Sequence, residues 1–168
     1  MKRIWSPWRY CYITGEKPAD CVFCQLPQEQ ADEDNLILYR GEFCYIMLNR
    51  YPYTNGHLMV IPYQHVDTPL LLPQESLTEL MVLNNLCIAS LAEAMHPDGF
   101  NIGMNLGKAA GAGIKEHIHL HIVPRWTGDN NFMPVIGETR VINQSLEDSY
   151  RALLPIIHTL SSQYHSRK

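Results

Sequence analysis

His117-Ile118-His119-Leu120-His121-Ile122-Val123 alternates an imidazole with an apolar side chain along its length. Residues two apart in a strand share a face. The pattern therefore predicts a strand with His117, His119 and His121 on one side and Ile118, Leu120 and Ile122 turned to a core. Pro124 is expected to end it. At ~3.3 Å rise per residue the outer imidazoles lie about 13 Å apart, too far to hold one small anion together. His119 is thus the central group, and one neighbour is free for another task. A coincidental polar face on an edge strand is the plain alternative. Against it stands the lead-in Asn105-Leu106-Gly107-Lys108-Ala109-Ala110-Gly111-Ala112-Gly113, whose small residues let backbone amides approach an oxyanion closely. The run lacks the Gly-Lys-Ser/Thr ending of a Walker loop.

Working outward, apolar runs at residues 36–40 and 43–48 are separated by Gly41-Glu42, a hairpin pattern. Residues 57–61 read as a third strand after a loop, 49–56, rich in turn-forming residues. Ser76-Leu77-Thr78-Glu79 matches a capping box, and Leu80, Leu83, Cys87 and Leu91 follow at helical spacing. This predicts a helix from about Ser76 to Met95. Phe100, Ile102, Met104 and Leu106 alternate with polar or small residues, the signature of a half-buried strand. A second helix is expected from about Ser145, kinked or interrupted at Pro155. This order predicts an α+β domain on an antiparallel sheet with a long helix and a C-terminal helix. Length suits one domain, divided into an arm (1–35), a core (36–136) and a helical tail (137–168).

A net charge of −4 argues against a nucleic-acid polymer as partner, since such binding rests on neutralising many phosphates. No apolar run follows the basic residues at the start, and no stretch reads as a bilayer span, so a cytoplasmic protein without a membrane partner is expected. Five cysteines, an odd number, speak against a disulfide framework. Cys21-Val22-Phe23-Cys24 places two thiols three apart in a turn, a spacing that suits zinc if two further ligands are supplied. A buried thiol pair and a redox motif are the alternatives; the latter should follow a strand, whereas Pro18-Ala19-Asp20 precedes it here.

The histidine run is similar to the His-φ-His-φ-His-φ-φ signature of the histidine-triad (HIT) superfamily of nucleotide hydrolases and transferases. Leu48-Asn49 and Gly56-His57-Leu58-Met59-Val60-Ile61-Pro62 resemble that family's ribose-binding residue and upstream Gly-His strand. Asn105 and Gly111 fall where it has a phosphate-contacting amide and an Ala-Gly turn. Six positions separate Gly111 from His117, one more than in the commonest members. This longer loop resembles the short bacterial diadenosine tetraphosphate phosphorylases, as do Tyr51-Pro52-Tyr53, Pro124-Arg125-Trp126, Gly128-Asp129 and Asn131-Phe132.

The resemblance implies that His119 attacks the α-phosphorus of a nucleoside polyphosphate to give a nucleotidyl-histidine. It makes His121 and His57 its catalytic companions. Asn49, Asn105, Gly111 and Gly113 become substrate contacts, and Trp126 either packs at a sheet edge or meets the substrate. It also implies a structural zinc on Cys21, Cys24, His65 and His117, and a homodimer. The reaction so implied is cleavage of dinucleoside polyphosphates by hydrolysis or phosphorolysis. His121 favours hydrolysis, because phosphorylases of the long-chain branch carry Gln there; the loop favours phosphorolysis. A nucleoside phosphoramidate or AMP-lysine hydrolase, and a zinc-stabilised nucleotide-binding module with little turnover, are the competing readings.

Overall fold

Five antiparallel strands form one sheet in the order β1-β2-β3-β5-β4, and the computed structural model describes residues 21–129 and 144–165. The strands are β1 (Ile37–Arg40), β2 (Cys44–Leu48), β3 (Leu58–Pro62), β4 (Gly99–Met104) and β5 (Leu120–Arg125). A one-turn helix, α1 (Val22–Gln25), precedes them. The long helix α2 (Gln74–Met95) lies between β3 and β4, and α3 (Leu146–His165) follows the sheet.

Period-2 alternation sorts the central strands onto two faces. Ile46, Leu48, Leu58, Val60, Ile118, Leu120 and Ile122 pack against Leu80, Leu83, Cys87 and Leu91 of α2 and against Tyr150, Leu153 and Ile157 of α3. On the opposite face Tyr45, Met47, Met59 and Ile61 form a smaller cluster with Phe23 of α1. Helix α2 is long and apolar enough, by length and composition, to cross a membrane, with a mean hydropathy of 1.2; that amends the expectation that no stretch approaches such a span. Each fully buried leucine contributes about 1.5–3 kcal/mol. Leu80, Leu86 and Leu91, at most 2% exposed, gain it against the sheet and α3.

Several boundaries differ from the sequence reading, each for a local reason. Helix α2 begins at Gln74, with Pro73 as its N-cap. Glu79 does not close a capping box. Its carboxylate accepts from the backbone N–H groups of Glu42, Phe43 and Cys44 at 2.8, 2.6 and 2.7 Å, holding the β1–β2 turn. Gly41 is required there: a Cβ would come within 2.7 Å of Glu79 Oε1 and 2.8 Å of the Cys44 carbonyl.

Strand β5 starts at Leu120, not His117, and runs through Pro124. On its early side, Pro62 of β3 has no N–H to donate, and its carbonyl accepts from the His117 imidazole. At the far end the Pro124 carbonyl accepts from Thr54 Oγ1 at 3.0 Å, on the β3 side. Pairing with β3 stops at Ile122, so the missing N–H of Pro124 faces a side without a ladder partner. Helix α3 is uninterrupted across Pro155. Strand β4 is an edge strand: Phe100 and Met104 pack against the core as the alternation predicts, while Ile102 between them is 44% exposed. Residues 1–20 of the arm, and Asn131-Phe132, lie outside the described residues.

Candidate active site and metal centre

Paired residues of neighbouring strands share a face, and the register sets Met59 opposite His121 and Gly103 opposite His121 on the other flank. His57, two residues before Met59, and His119, two before His121, project to the same side as the Phe23 cluster. Gly103 carries no side chain to cover His121, and a Cβ there would meet nothing within 4 Å. All four imidazoles are buried: His57 and His117 at 0% exposure, His119 and His121 at 7%.

Their hydrogen bonds fix the tautomers. The Tyr53 backbone N–H donates to His57 Nδ1 at 3.1 Å, and Asn49 Nδ2 lies 3.4 Å from the same atom. His57 Nδ1 is therefore an acceptor and its Nε2 carries the proton. That Nε2 stands 3.0 Å from His121 Nδ1, so His121 accepts there and bears its own proton on Nε2. His121 Nε2 is buried and has no hydrogen-bond partner among the described residues, which leaves its N–H free to donate. His119 Nδ1 lies 2.9 Å from the His117 carbonyl, which can only accept. The Nδ1 of His119 is thus protonated, and its Nε2 lone pair is left for chemistry. The rings of His119 and His121 are 4.7 Å apart.

Burial pushes His57 down to about 3, with His121 and His119 adding repulsion, and pushes His121 down to about 4. Desolvation also lowers His119, opposed by its bond to the His117 carbonyl. The row is accordingly neutral near pH 7, with a lone pair on one nitrogen of each ring. The sign for stability follows. Unfolded, these groups take up protons near 6.5, while folded they do so only near 3 and 4. Their contribution is fully present above pH 6.5 and falls as pH drops through that window. Urea midpoints should decline from pH 7 to pH 5, each of the two groups contributing up to ~1.4 kcal/mol per pH unit. A midpoint constant over that range would contradict this assignment.

His117 turns the other way. Its Nε2 lies 2.8 Å from the Pro62 carbonyl, so Nε2 is protonated and Nδ1 is a lone pair. That lone pair lies 3.2 Å from Cys21 Sγ and 3.5 Å from Cys24 Sγ, while His65 Nδ1 lies 3.3 Å from Cys24 Sγ. The four ligand atoms all fall within 4.8 Å of one another. A tetrahedral ion with arms of about 2.3 Å to sulfur and 2.0–2.1 Å to nitrogen has S···N edges of about 3.6 Å, so this donor set fits. The carbonyl behind His117 is the kind of outer partner that fixes a ligating imidazole. Without a cation, burial and Cys21 push the Cys24 thiol up to about 11, so a bound metal must displace protons from sulfur.

The remaining candidates are distributed differently. Asn49 Oδ1 accepts from the Tyr51 backbone N–H at 2.9 Å, a turn-holding bond. Gly107 and Gly111 adopt positive φ on either side of the 3-10 turn Lys108–Ala110. The Gly111 amide is engaged by the Lys108 carbonyl, and Gly113 is exposed in the bend that follows; Asn105 precedes both, half-buried. Trp126 is tied to the end of α2, its Nε1 donating to the Met95 carbonyl at 3.4 Å. It lines a cavity of about 320 Å³ there with Asn55, Ala94, Met95, Gln144 and Ala152. Arg125 forks onto Asp129 and reaches Asn101, so this motif braces a turn. Phe23 was missed by sequence reasoning: its ring lies 5.0 Å from His119.

The five-stranded antiparallel sheet, with three alternating imidazoles at the entry to β5, is the arrangement that the histidine-triad resemblance implies. The HIT domain model matches residues 30–128, and the chain belongs to that family, as an enzyme of the nucleotide hydrolase or transferase kind. It is 40% identical over 163 residues to the AP-4-A phosphorylase of Mycobacterium tuberculosis, spanning 91% of this chain and 83% of that protein. It is 31% identical over 107 residues to the adenosine 5'-monophosphoramidase of Saccharomyces cerevisiae, spanning 64% and 63% of the two chains. Among solved structures, a Zn-bound histidine triad family protein from Mycobacterium smegmatis superposes with a TM-score of 0.69 at 31% identity, covering 86% of this chain and 97% of that one.

Proposed function

We propose that this chain cleaves dinucleoside polyphosphates, diadenosine tetraphosphate foremost, through a nucleotidyl intermediate on His119. The observation that carries the reading is the pair of opposed tautomers: a lone pair on His119 Nε2 beside an N–H on His121 Nε2 that has no partner among the described residues. His119 Nε2 bonds to the α-phosphorus as the bond from phosphorus to the departing nucleotide's oxygen breaks. The N–H of His121 then stabilises a phosphate oxygen, and His57 keeps His121 in the donating tautomer. Asn105 and the amides of Gly111 and Gly113 are further donors to the phosphates, Gly111 after its turn opens. Asn49 meets the ribose, and Trp126 supports the site from the end of α2. Water or inorganic phosphate then takes the nucleotidyl group from His119. The identity with the mycobacterial AP-4-A phosphorylase supports this substrate class.

Cys21, Cys24, His65 and His117 would hold a structural zinc; four protein ligands leave it no open position for substrate. The arm, core and tail act as a single cytoplasmic HIT domain. Two such chains pair through the β4 edge, whose Ile102 is exposed, together with α2, whose Met81 and Val82 are exposed apolar residues. Sedimentation at micromolar concentration should give a dimer; a stable monomer would contradict the pairing.

The reaction is tested with diadenosine tetraphosphate, with and without inorganic phosphate, and mass analysis of quenched protein. Phosphorolysis yields ATP and ADP, hydrolysis ATP and AMP, and either passes through a nucleotidyl-His119 adduct. Inert diadenosine tetraphosphate together with cleavage of adenosine phosphoramidate would replace this reading with the monophosphoramidase one, which the yeast relative favours.

A further inference from the structure

Phe23 lies between the two cysteines of the knuckle, in the one-turn helix α1, and is 5% exposed. Its main chain is pinned from the sheet: the Tyr45 hydroxyl donates to the Phe23 carbonyl at 2.9 Å, and Tyr45 itself is 0% exposed. Its ring reaches the histidine row, 5.6 Å from His117 with planes at 81°, and 5.0 Å from His119 with planes at 56°.

One hydrogen bond, from Nδ1–H to the His117 carbonyl, fixes a direction for His119. It does not fix the angle of the ring about that direction; packing must. Among the described residues, the rings of His121, itself held by His57, and of Phe23, held by the knuckle, lie against His119. The ligand cluster has one link to His119 through His117 and the backbone, and a second through the ring between Cys21 and Cys24.

We propose that Phe23 is the positioning residue of His119, and that the Cys21, Cys24, His65 and His117 cluster acts on the orientation of His119 through this ring. The proposal rests on the reading of His119 as nucleophile. A misplacement of about 1 Å at a reacting atom costs on the order of 10²-fold in rate, so the link has a measurable consequence.

The test uses full-length, zinc-loaded protein, with Phe23→Leu keeping apolar bulk and Phe23→Tyr keeping the ring. The first readout needs no turnover: the NMR nuclear Overhauser signal between the His119 ring Hε1 proton and the His121 ring, which reports the angle of the His119 ring and does not depend on the current of the Phe23 ring. Phe23→Leu should change that signal and slow nucleotidyl-adduct formation by about 10- to 10²-fold, with KM and zinc per chain unchanged. Phe23→Tyr should restore both. Stripping zinc should change the same signal in the unaltered protein and much less in Phe23→Leu, because both act on one path. An unchanged signal in Phe23→Leu overturns the proposal. So does a rise in KM with adduct formation unchanged, which would put the ring on substrate. If Phe23→Leu does not retain zinc, the stripped unaltered protein decides, and an unchanged His119 signal there refutes the link. Absence of any His119 adduct in the unaltered protein is a separate failure, that of the nucleophile reading, and leaves the resonance result standing.

Discussion

His119→Gln should lose turnover of diadenosine tetraphosphate by on the order of 10⁴-fold or more, with no nucleotidyl adduct in the mass spectrum, because the atom that forms the covalent bond is gone. Glutamine is the right replacement. The imidazole is 7% exposed and packs between His121 and Phe23; alanine would add a cavity whose cost, roughly 2–5 kcal/mol for large buried truncations, obscures the chemical loss. The comparison is His121→Leu, which fills the same buried space but removes one donor to phosphate and should cost about 10²–10³ in kcat. More than a few percent of activity in His119→Gln would refute the nucleophile assignment, and equal losses would mean that the two roles are reversed.

Cys24→Ser should release zinc and lower the melting temperature. Cys24 stands within 3.5 Å of both His65 Nδ1 and His117 Nδ1, so its sulfur joins the exposed ligand to the buried one. A ligand present at about 100 times its dissociation constant stabilises a fold by about 2.7 kcal/mol. At ~2–4 °C per kcal/mol for a chain of this size, the loss is about 5–11 °C. Elemental analysis of protein purified without chelator should give one zinc per chain, and calorimetry of the serine variant the lower transition. Metal-free protein with an unchanged transition would refute a structural metal.

What the sequence revealed, and what it hid, divides along periodicity. The alternation of His119 and His121 with Leu120 and Ile122, and the spacing of Leu80, Leu83, Cys87 and Leu91, are one-dimensional records of burial, and the fold follows them. The cysteine knuckle was legible because metal ligation demands sulfur at short spacing. Its convergence with His65 and His117 was reached through family resemblance, since no local pattern links residues 41 and 93 positions away from Cys24. Glu79 looked like a cap because it stands three residues after a serine; its true partners, residues 42–44, are distant in sequence. Phe23 had no signal at all, a single aromatic inside a motif read for its sulfurs. Pro124 misled because the prohibition on proline in strands applies only where a ladder partner awaits its N–H.

The Glu79 carboxylate has a bearing on how this molecule opens. Three consecutive amides of the β1–β2 turn are capped not by another strand but by a side chain on α2. Those amides therefore stay shielded from solvent hydrogen only while the helix is docked, and the turn and the helix form one unit of local unfolding. Hydrogen exchange at residues 42–44 becomes a gauge of helix undocking on the sheet face opposite the histidines.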